Sequence, residues 1–118
     1  MKRPLRIDDI ASFEAAFAAQ GGLPHYRLRL FVTGITARST LAIRNLRGIC
    51  EAHLQGRYDL EVIDVYQHPE LARSEQIIVT PTLVKQLPLP PRRMIGDLSD
   101  TGRVLAGLDI GSPRQHVA

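Results

Sequence analysis

The chain has 118 residues, a formal net charge of +3, 44% hydrophobic residues and 23% charged residues, as expected for one globular domain. This composition excludes collagen, coiled coil and whole-chain disorder, and no apolar run reaches the ~20 residues of a membrane span. The single cysteine excludes an internal disulfide and a CxxC pair. The basic N-terminus lacks the apolar region of a secretory signal, so a cytoplasmic protein is expected.

The positive charge is concentrated in the first half of the chain. Residues 1–57 carry nine Lys and Arg against four Asp and Glu, whereas residues 58–118 carry six against eight. The basic residues are scattered, and six aromatic residues are too few for a platform on which single-stranded bases stack. We therefore expect no nucleic-acid partner.

Residues 1–25 are interpreted as an extension in front of the domain. Ile10, Phe13 and Phe17 share one face of a predicted short helix. Such a short helix is marginal alone, so its Phe face should pack on the domain or on a second subunit; a frayed tail is the alternative. Residues 111–118 are predicted to be a flexible tail.

Periodicity predicts a β-α-β unit after this extension. Residues 26–32 alternate in polarity like a strand, residues 38–54 have a helical period, and residues 59–65 form a second strand. The helix carries a narrow apolar stripe with His53 at its border: Ile43, Leu46, Cys50 and Leu54. The two strands should be parallel, because a helical crossover joins them.

The remaining chain predicts a short helix, two strands and a last helix. The helix spans residues 68–74, the strands span 77–85 and 93–96, and Ser99 or Asp100 caps the last helix. The order β-α-β-α-β-β-α is that of the thioredoxin-like fold, an α/β class in which a proline begins the third strand. Pro81 fits that place.

Redox chemistry is not expected of this chain. The position where its cysteines would lie, after the first strand, contains Thr36 and Ser39 instead, and Cys50 fits a buried helical stripe. The four histidines are isolated in sequence, and Asp97 and Asp100 fit a helix start. We therefore predict no catalysis, metal or cofactor; glutathione-transferase-like use of a hydroxyl is the enzyme alternative.

Several blocks of the chain resemble the KaiB family of circadian clock proteins. The resemblance covers residues 26–110 without an evident gap, and the LPLPPRR and IGDLSD blocks are its most specific parts. The blocks are LFVTG (30–34), LRGICE (46–51), LEVIDV (60–65), PELA (69–72), TPTLVK (80–85), LPLPPRR (87–93), IGDLSD (95–100) and RVLAGLD (103–109).

The resemblance implies a binding protein without enzymatic activity. Members of this family bind the ATPase ring of KaiC, sequester KaiA and compete with an output histidine kinase. They also have two folds: a resting dimer or tetramer with the order β-α-β-β-α-α-β, and a rarer thioredoxin-like monomer that binds KaiC. The implied partners of this chain are thus a KaiC-type ATPase, a KaiA-like protein or histidine kinase, and a second copy of itself.

Three cations match the basic contact positions of the family: Lys85, Arg92 and Arg93. They are predicted to bind an acidic partner face; solvated surface cations are the alternative. Leu41 stands where relatives have a basic residue. Together with the N-terminal extension and the missing acidic tail, this indicates a divergent member, serving a noncyanobacterial KaiC or stress signalling. An oligomeric scaffold without an ATPase partner is a further alternative.

Four prolines, a glycine and an aspartate are predicted to influence switching between the two folds. X-Pro bonds have a small trans preference and isomerise slowly, and glycine inside a helix costs about 1 kcal/mol relative to alanine. Gly107→Ala and Asp109→Arg, the latter through the helix dipole, are predicted to favour the thioredoxin-like form. The residues are Pro81, Pro88, Pro90, Pro91, Gly107 and Asp109.

Overall fold

The computed structural model describes residues 23–110. The predictions for the helix with Phe13 and Phe17 and for the tail 111–118 lie outside the described residues. The elements are β1 (Tyr26–Val32), α1 (Ala37–His53), β2 (Tyr58–Asp64), α2 (Pro69–Ser74), β3 (Thr82–Leu87), β4 (Arg92–Ile95) and α3 (Thr101–Gly107). This order confirms the predicted thioredoxin-like fold.

The four strands form one sheet in the order β2-β1-β3-β4. β1 and β2 are parallel, as α1 between them requires, because parallel strands need a crossover of a dozen or more residues. β3 is antiparallel to β1, and β4 is antiparallel to β3. The register places Lys85 between Leu28 of β1 and Arg92 of β4.

The two faces of the sheet are covered unequally. The predicted β1 face of Tyr26, Leu28, Leu30 and Val32 packs with α1, α3 and Leu83 in the larger core. The opposite face holds a small cluster of Phe31, Ile63 and Val84. Leu71 of α2 and Ile77, which follows α2, pack against this cluster. The alternation along β1 thus reflects two cores, because successive strand side chains point to opposite faces.

The long helix begins and ends close to the predicted positions. Thr36 is its N-cap, and the Thr36 hydroxyl accepts a hydrogen bond from the Ser39 amide at 3.0 Å. Leu46 and Cys50 of the predicted stripe are buried. His53, expected at the border of the core, is exposed instead. It lies in the last turn, where its carbonyl oxygen accepts from Arg57 at 3.1 Å.

The third strand begins five residues later than predicted, at Thr82. Ile77 donates its amide to the Ala72 carbonyl at 2.8 Å, so this residue completes the end of α2. Ile78 and Val79 are exposed loop residues. β-branched composition alone therefore misplaced the start of the strand, whereas β2 and β4 differ from their predicted starts by one residue.

Candidate partner-binding surface

Lys85 is a buried residue of β3, because the alternation of that strand turns it towards α1 and α3. Its side chain is 1% exposed, and its Nζ lies 3.5 Å from Oδ2 of Asp109. The ammonium also lies 6.0 Å from the centroid of the Tyr26 ring. In this fold Lys85 is therefore not a surface group that a partner can reach.

Arg92 and Arg93 are exposed, but they do not form one patch. Consecutive residues of a strand point to opposite faces. The Arg92 side chain is 49% exposed, and its Nε lies 3.6 Å from Oδ2 of Asp109. The Arg93 side chain is 44% exposed and donates to the carbonyl oxygens of Glu75 and Gln76. The structure thus separates the three cations that the sequence grouped.

The predicted switch prolines flank β3. The peptide bonds 80–81, 87–88 and 89–90 are cis. Pro81 is buried directly before Thr82, whereas Pro90 and Pro91 are exposed in the turn between β3 and β4. The switching role of these prolines and of Pro88 stays a prediction.

The positions of Gly107 and Asp109 relative to α3 differ from those assumed in the sequence analysis. Gly107 is the last residue of α3, so the full helix-interior cost does not apply. A Cβ there would lie 2.8 Å from Sδ of Met94, which must move. Asp109 lies beyond the helix at φ 58°, and its carboxylate contacts Lys85 and Arg92. Asp109→Arg would therefore also remove two ion pairs and place a third cation beside Lys85 and Arg92, which opposes the predicted gain from the helix dipole.

An exposed apolar surface at the C-terminal end of β1 was missed by the sequence analysis. It consists of three exposed side chains carried by the loops at this end of the sheet, Ile35, Tyr66 and Ile78, which we call the loop-end surface. Ile35 is 98% exposed and Ile78 is 94% exposed. The sequence analysis assigned Ile78 to a strand and therefore did not predict its exposure. Ile35, an apolar residue directly after a turn glycine, could have indicated an exposed apolar side chain here.

Three loops meet at this end and hold the loop-end surface in place. The Gly34 amide donates to Oδ1 of Asp64 at 3.3 Å, which joins the loops after β1 and β2. The hydroxyls of Thr33 and Thr80 are hydrogen-bonded, which joins the loop before β3. Leu41, in the first turns of α1, is also exposed.

The position of the redox cysteines in this fold is occupied by a helix cap. The Thr36 hydroxyl donates to Oγ of Ser39 at 2.9 Å, and Ser39 is buried. Burial, and secondarily the charge of Glu51, raises the pKa of the Cys50 thiol to about 12. Cys50 therefore stays protonated near neutral pH and offers no nucleophilic thiolate.

Both aspartates before α3 accept hydrogen bonds from backbone amides. Asp100 is the N-cap and accepts from the Arg103 amide at 3.1 Å. Asp97 accepts from the Ser99 amide at 3.1 Å, and hydrogen bonds from Ser99 hold the pKa of the Asp97 carboxyl below its usual range. Among residues 23–110, no three His, Cys, Asp or Glu side chains are grouped to hold a metal ion. No helix in that range is long and apolar enough to span a bilayer.

The sequence matches the KaiB domain family model over residues 29–110. It is 53% identical over 83 residues to the circadian clock protein KaiB3 of Synechocystis sp., covering 70% of this chain and 81% of that protein. It is also 53% identical over 85 residues to the circadian clock oscillator protein KaiB of Synechococcus elongatus, covering 72% and 83%.

Solved structures of low sequence identity share the fold. The N-terminal domain of Synechococcus elongatus SasA aligns with a TM-score of 0.63 and 26% identity, covering 81% of this chain and 90% of that domain. Chloroplastic thioredoxin z aligns with a TM-score of 0.59 and 22% identity, covering 83% and 88%. The thioredoxin likeness concerns the fold alone, because the thiols of a redox site are absent at Thr36 and Ser39.

Proposed function

The chain belongs to the KaiB family of circadian clock proteins, and from this premise we propose that it acts by docking onto a KaiC-type ATPase ring. Docking regulates the phosphorylation or the output of the ring, with no chemical step on this chain. The protonated Cys50 and the capping role of Thr36 and Ser39 support a binding function over a catalytic one.

The loop-end surface is the observation that carries this proposal. Ile35 and Ile78 are almost fully exposed, although burial of apolar surface is worth about 25 cal/mol per Å². Large apolar side chains exposed together commonly mark an interaction site. In the proposed complex, Ile35, Ile78 and Tyr66 are covered by the ATPase, with Leu41 beside them.

The cations have divided roles in the proposal. Arg92 and Arg93 present their exposed parts to an acidic partner face, which steers association. Lys85 has no such exposed part in this fold and contributes by holding Asp109. A KaiA-like protein or a histidine kinase shares or competes for the complex, and the site of action is the cytoplasm.

A change of fold belongs to the same proposal. The thioredoxin-like arrangement is the form that docks, and the alternative order β-α-β-β-α-α-β is a resting dimer or tetramer. A binding-competent form that is only partly populated lowers the apparent affinity by its fraction. The balance between the two forms, influenced by Pro81, Pro88, Pro90 and Pro91, therefore regulates docking.

Size-exclusion chromatography and titration with a purified KaiC-type ATPase hexamer in ATP test docking. We expect Ile35→Ser and Ile78→Ser each to weaken binding about tenfold, as for a buried interface contact. Leu23→Ser is the matched control, because Leu23 is 63% exposed before β1, at the other end of the sheet. Its affinity should change less than about twofold.

Equal effects of the three substitutions would exclude the loop-end surface as the contact. No complex between the wild-type chain and the hexamer, with ATP present, would overturn the docking proposal itself. If the wild-type chain then eluted as a dimer or tetramer, the oligomeric-scaffold alternative would replace it.

A further inference from the structure

α2 ends in a Schellman motif that has no glycine. The Gln76 amide donates to the Arg73 carbonyl at 3.0 Å, and the Ile77 amide donates to the Ala72 carbonyl at 2.8 Å. Gln76 has φ 56°, in the left-handed region where glycine is usual. Ile77 then packs against the small core cluster of Phe31.

α3 ends in the same way on the other face of the sheet. The Asp109 amide donates to the Ala106 carbonyl at 3.2 Å, and the Ile110 amide donates to the Leu105 carbonyl at 2.9 Å. Asp109 has φ 58°. A residue other than glycine in this region costs roughly 1–2 kcal/mol, so both ends need contacts from elsewhere to hold them.

Arg93 supplies those contacts at the end of α2. Its Nη1 donates to the Gln76 carbonyl at 3.3 Å, and its Nη2 donates to the Glu75 carbonyl. Arginine stabilises a helix C-terminus by bonding the last carbonyl groups and by its charge. The Glu75 carboxylate lies 3.9 Å from the same guanidinium and also meets Arg29 at 3.7 Å and Gln86 at 3.5 Å.

Arg92 and Lys85 reach the end of α3 from the other side. Nε of Arg92 and Nζ of Lys85 lie 3.6 Å and 3.5 Å from the same Oδ2 of Asp109. The Tyr26 hydroxyl donates to the Asp109 carbonyl at 2.9 Å. The left-handed residue of α3 is therefore held by its side chain and by its backbone.

We propose that the consecutive residues Arg92 and Arg93 form a two-sided staple that fastens the C-terminal ends of both short helices to edge strand β4. Arg93 fastens α2 on one face, and Arg92 with Lys85 fastens α3 on the other. The staple sets the stability of the arrangement of residues 69–110. Only its consequence for docking rests on the proposed function.

Geometry explains why one dipeptide can serve both faces. β4 has four residues and pairs with β3 alone among the described strands. Strand alternation sends its two arginines to opposite faces, where the two helices end. A fold that moved α2 or α3 off the sheet would break one half of the staple and leave the other half intact.

Amide hydrogen exchange on the free full-length chain tests the staple, with Arg92→Gln and Arg93→Gln as controls for each other. We expect Arg93→Gln to speed exchange of the Ile77 amide by about tenfold, because hydrogen bonds from a charged donor are lost. Arg92→Gln should speed the Ile110 amide about two- to fivefold, as for an exposed ion pair. Each variant should leave the other amide within about twofold, relative to the amides of β1.

A rescue variant separates the staple from a direct partner contact. Gln76→Gly removes the left-handed cost and should restore Ile77 protection in the Arg93→Gln background. It should also restore the part of the affinity for the ATPase hexamer that depends on the end of α2, whereas no affinity would return if Arg93 acted only by touching the partner. Should Arg93→Gln fail to fold, Arg93→Lys, which cannot bond two carbonyls as a fork, replaces it with a smaller expected effect.

Uniform acceleration of all amides, or no change at Ile77 and Ile110, would overturn the staple. Because this measurement contains no partner, its failure leaves the docking proposal standing. Conversely, selective exchange changes without any complex would support the staple and reject docking.

Discussion

Residues 26–64 contain one helix of 17 residues, whereas residues 69–110 contain two helices of six and seven residues. α1 buries five residues, including Leu46 and Cys50, but α3 buries Val104 alone within its bounds and α2 buries none. Apolar packing therefore anchors the first region. In the second region α2 depends more on directed polar contacts, and segments with few buried apolar contacts open at lower free energy.

A change of fold would be least costly at α2, which buries no residue within its bounds. Separating α1 from the sheet would expose the larger core, and separating α3 would expose the part of it formed by Val104 and Leu108. α2 is released when a few hydrogen bonds and ion pairs of Glu75 and Arg93 break. A proposed switch confined to the second region is consistent with this difference in anchoring.

Leu46→Ala should give the largest effect and test the apolar anchoring of the first region. Leu46 is fully buried in the larger core, so we expect a loss of about 2–5 kcal/mol in the free energy of unfolding, measured in urea. Leu41→Ala is the control, because Leu41 lies exposed on the same helix, and it should change stability by less than about 0.5 kcal/mol. Similar losses for both would refute the difference in anchoring.

Asp109→Asn should have an intermediate effect and test the polar anchoring of α3. It removes a carboxylate beside the buried Lys85 ammonium, so a loss of about 1–2 kcal/mol is expected. Adding Lys85→Met should recover most of this loss, because the buried charge is then gone. Glu61→Gln, at an exposed pair with Arg29, should lose less than about 0.5 kcal/mol.

Additive effects of Asp109→Asn and Lys85→Met would show that the two groups do not interact, and would remove Lys85 from the account of the α3 end. The cycle requires only equilibrium unfolding of four chains.

Gly107→Ala should have the smallest effect. At the last residue of α3 the gain in helix propensity is below the interior value of about 1 kcal/mol, and Met94 must rotate away from the new methyl group. We expect the thioredoxin-like form to gain no more than about 0.5 kcal/mol, by urea unfolding and by NMR peak volumes. The gain should increase in a Met94→Ala background; an unchanged gain would mean that the Met94 contact is irrelevant.

Predictions from local patterns succeeded where the interaction was itself local. The alternation of residues 26–32 placed Tyr26 and Leu28 in the core, and Asp100 was one of the two residues predicted to cap the last helix. The start of β3 was wrong because Ile77 and Ile78 carry the side chains of a strand, while the left-handed Gln76 that ends α2 has no sequence signal. Glycine usually marks such an end, and here it is missing.

The candidate site was harder to predict than the fold. The predicted partner surface grouped three cations that are close in sequence: Lys85, Arg92 and Arg93. The sequence did not show which residues surround each of them in the fold. Their contacts depend on which strands are neighbours in the sheet, and this is decided by pairing between segments that are far apart in the chain. The loop-end surface likewise exists only because three loops, far apart in the chain, meet at one end of the sheet.

By itself, the amino-acid sequence determined the order of strands and helices, a cap of the last helix at Ser99 or Asp100, and membership of a family, because periodicity and capping act within a few residues. Only the tertiary structure decided that Lys85 is buried and that Arg92 and Arg93 point to opposite faces. The physical reason is that the packing of distant segments sets which residues are buried and which charged groups pair. A local sequence pattern contains no information about that packing.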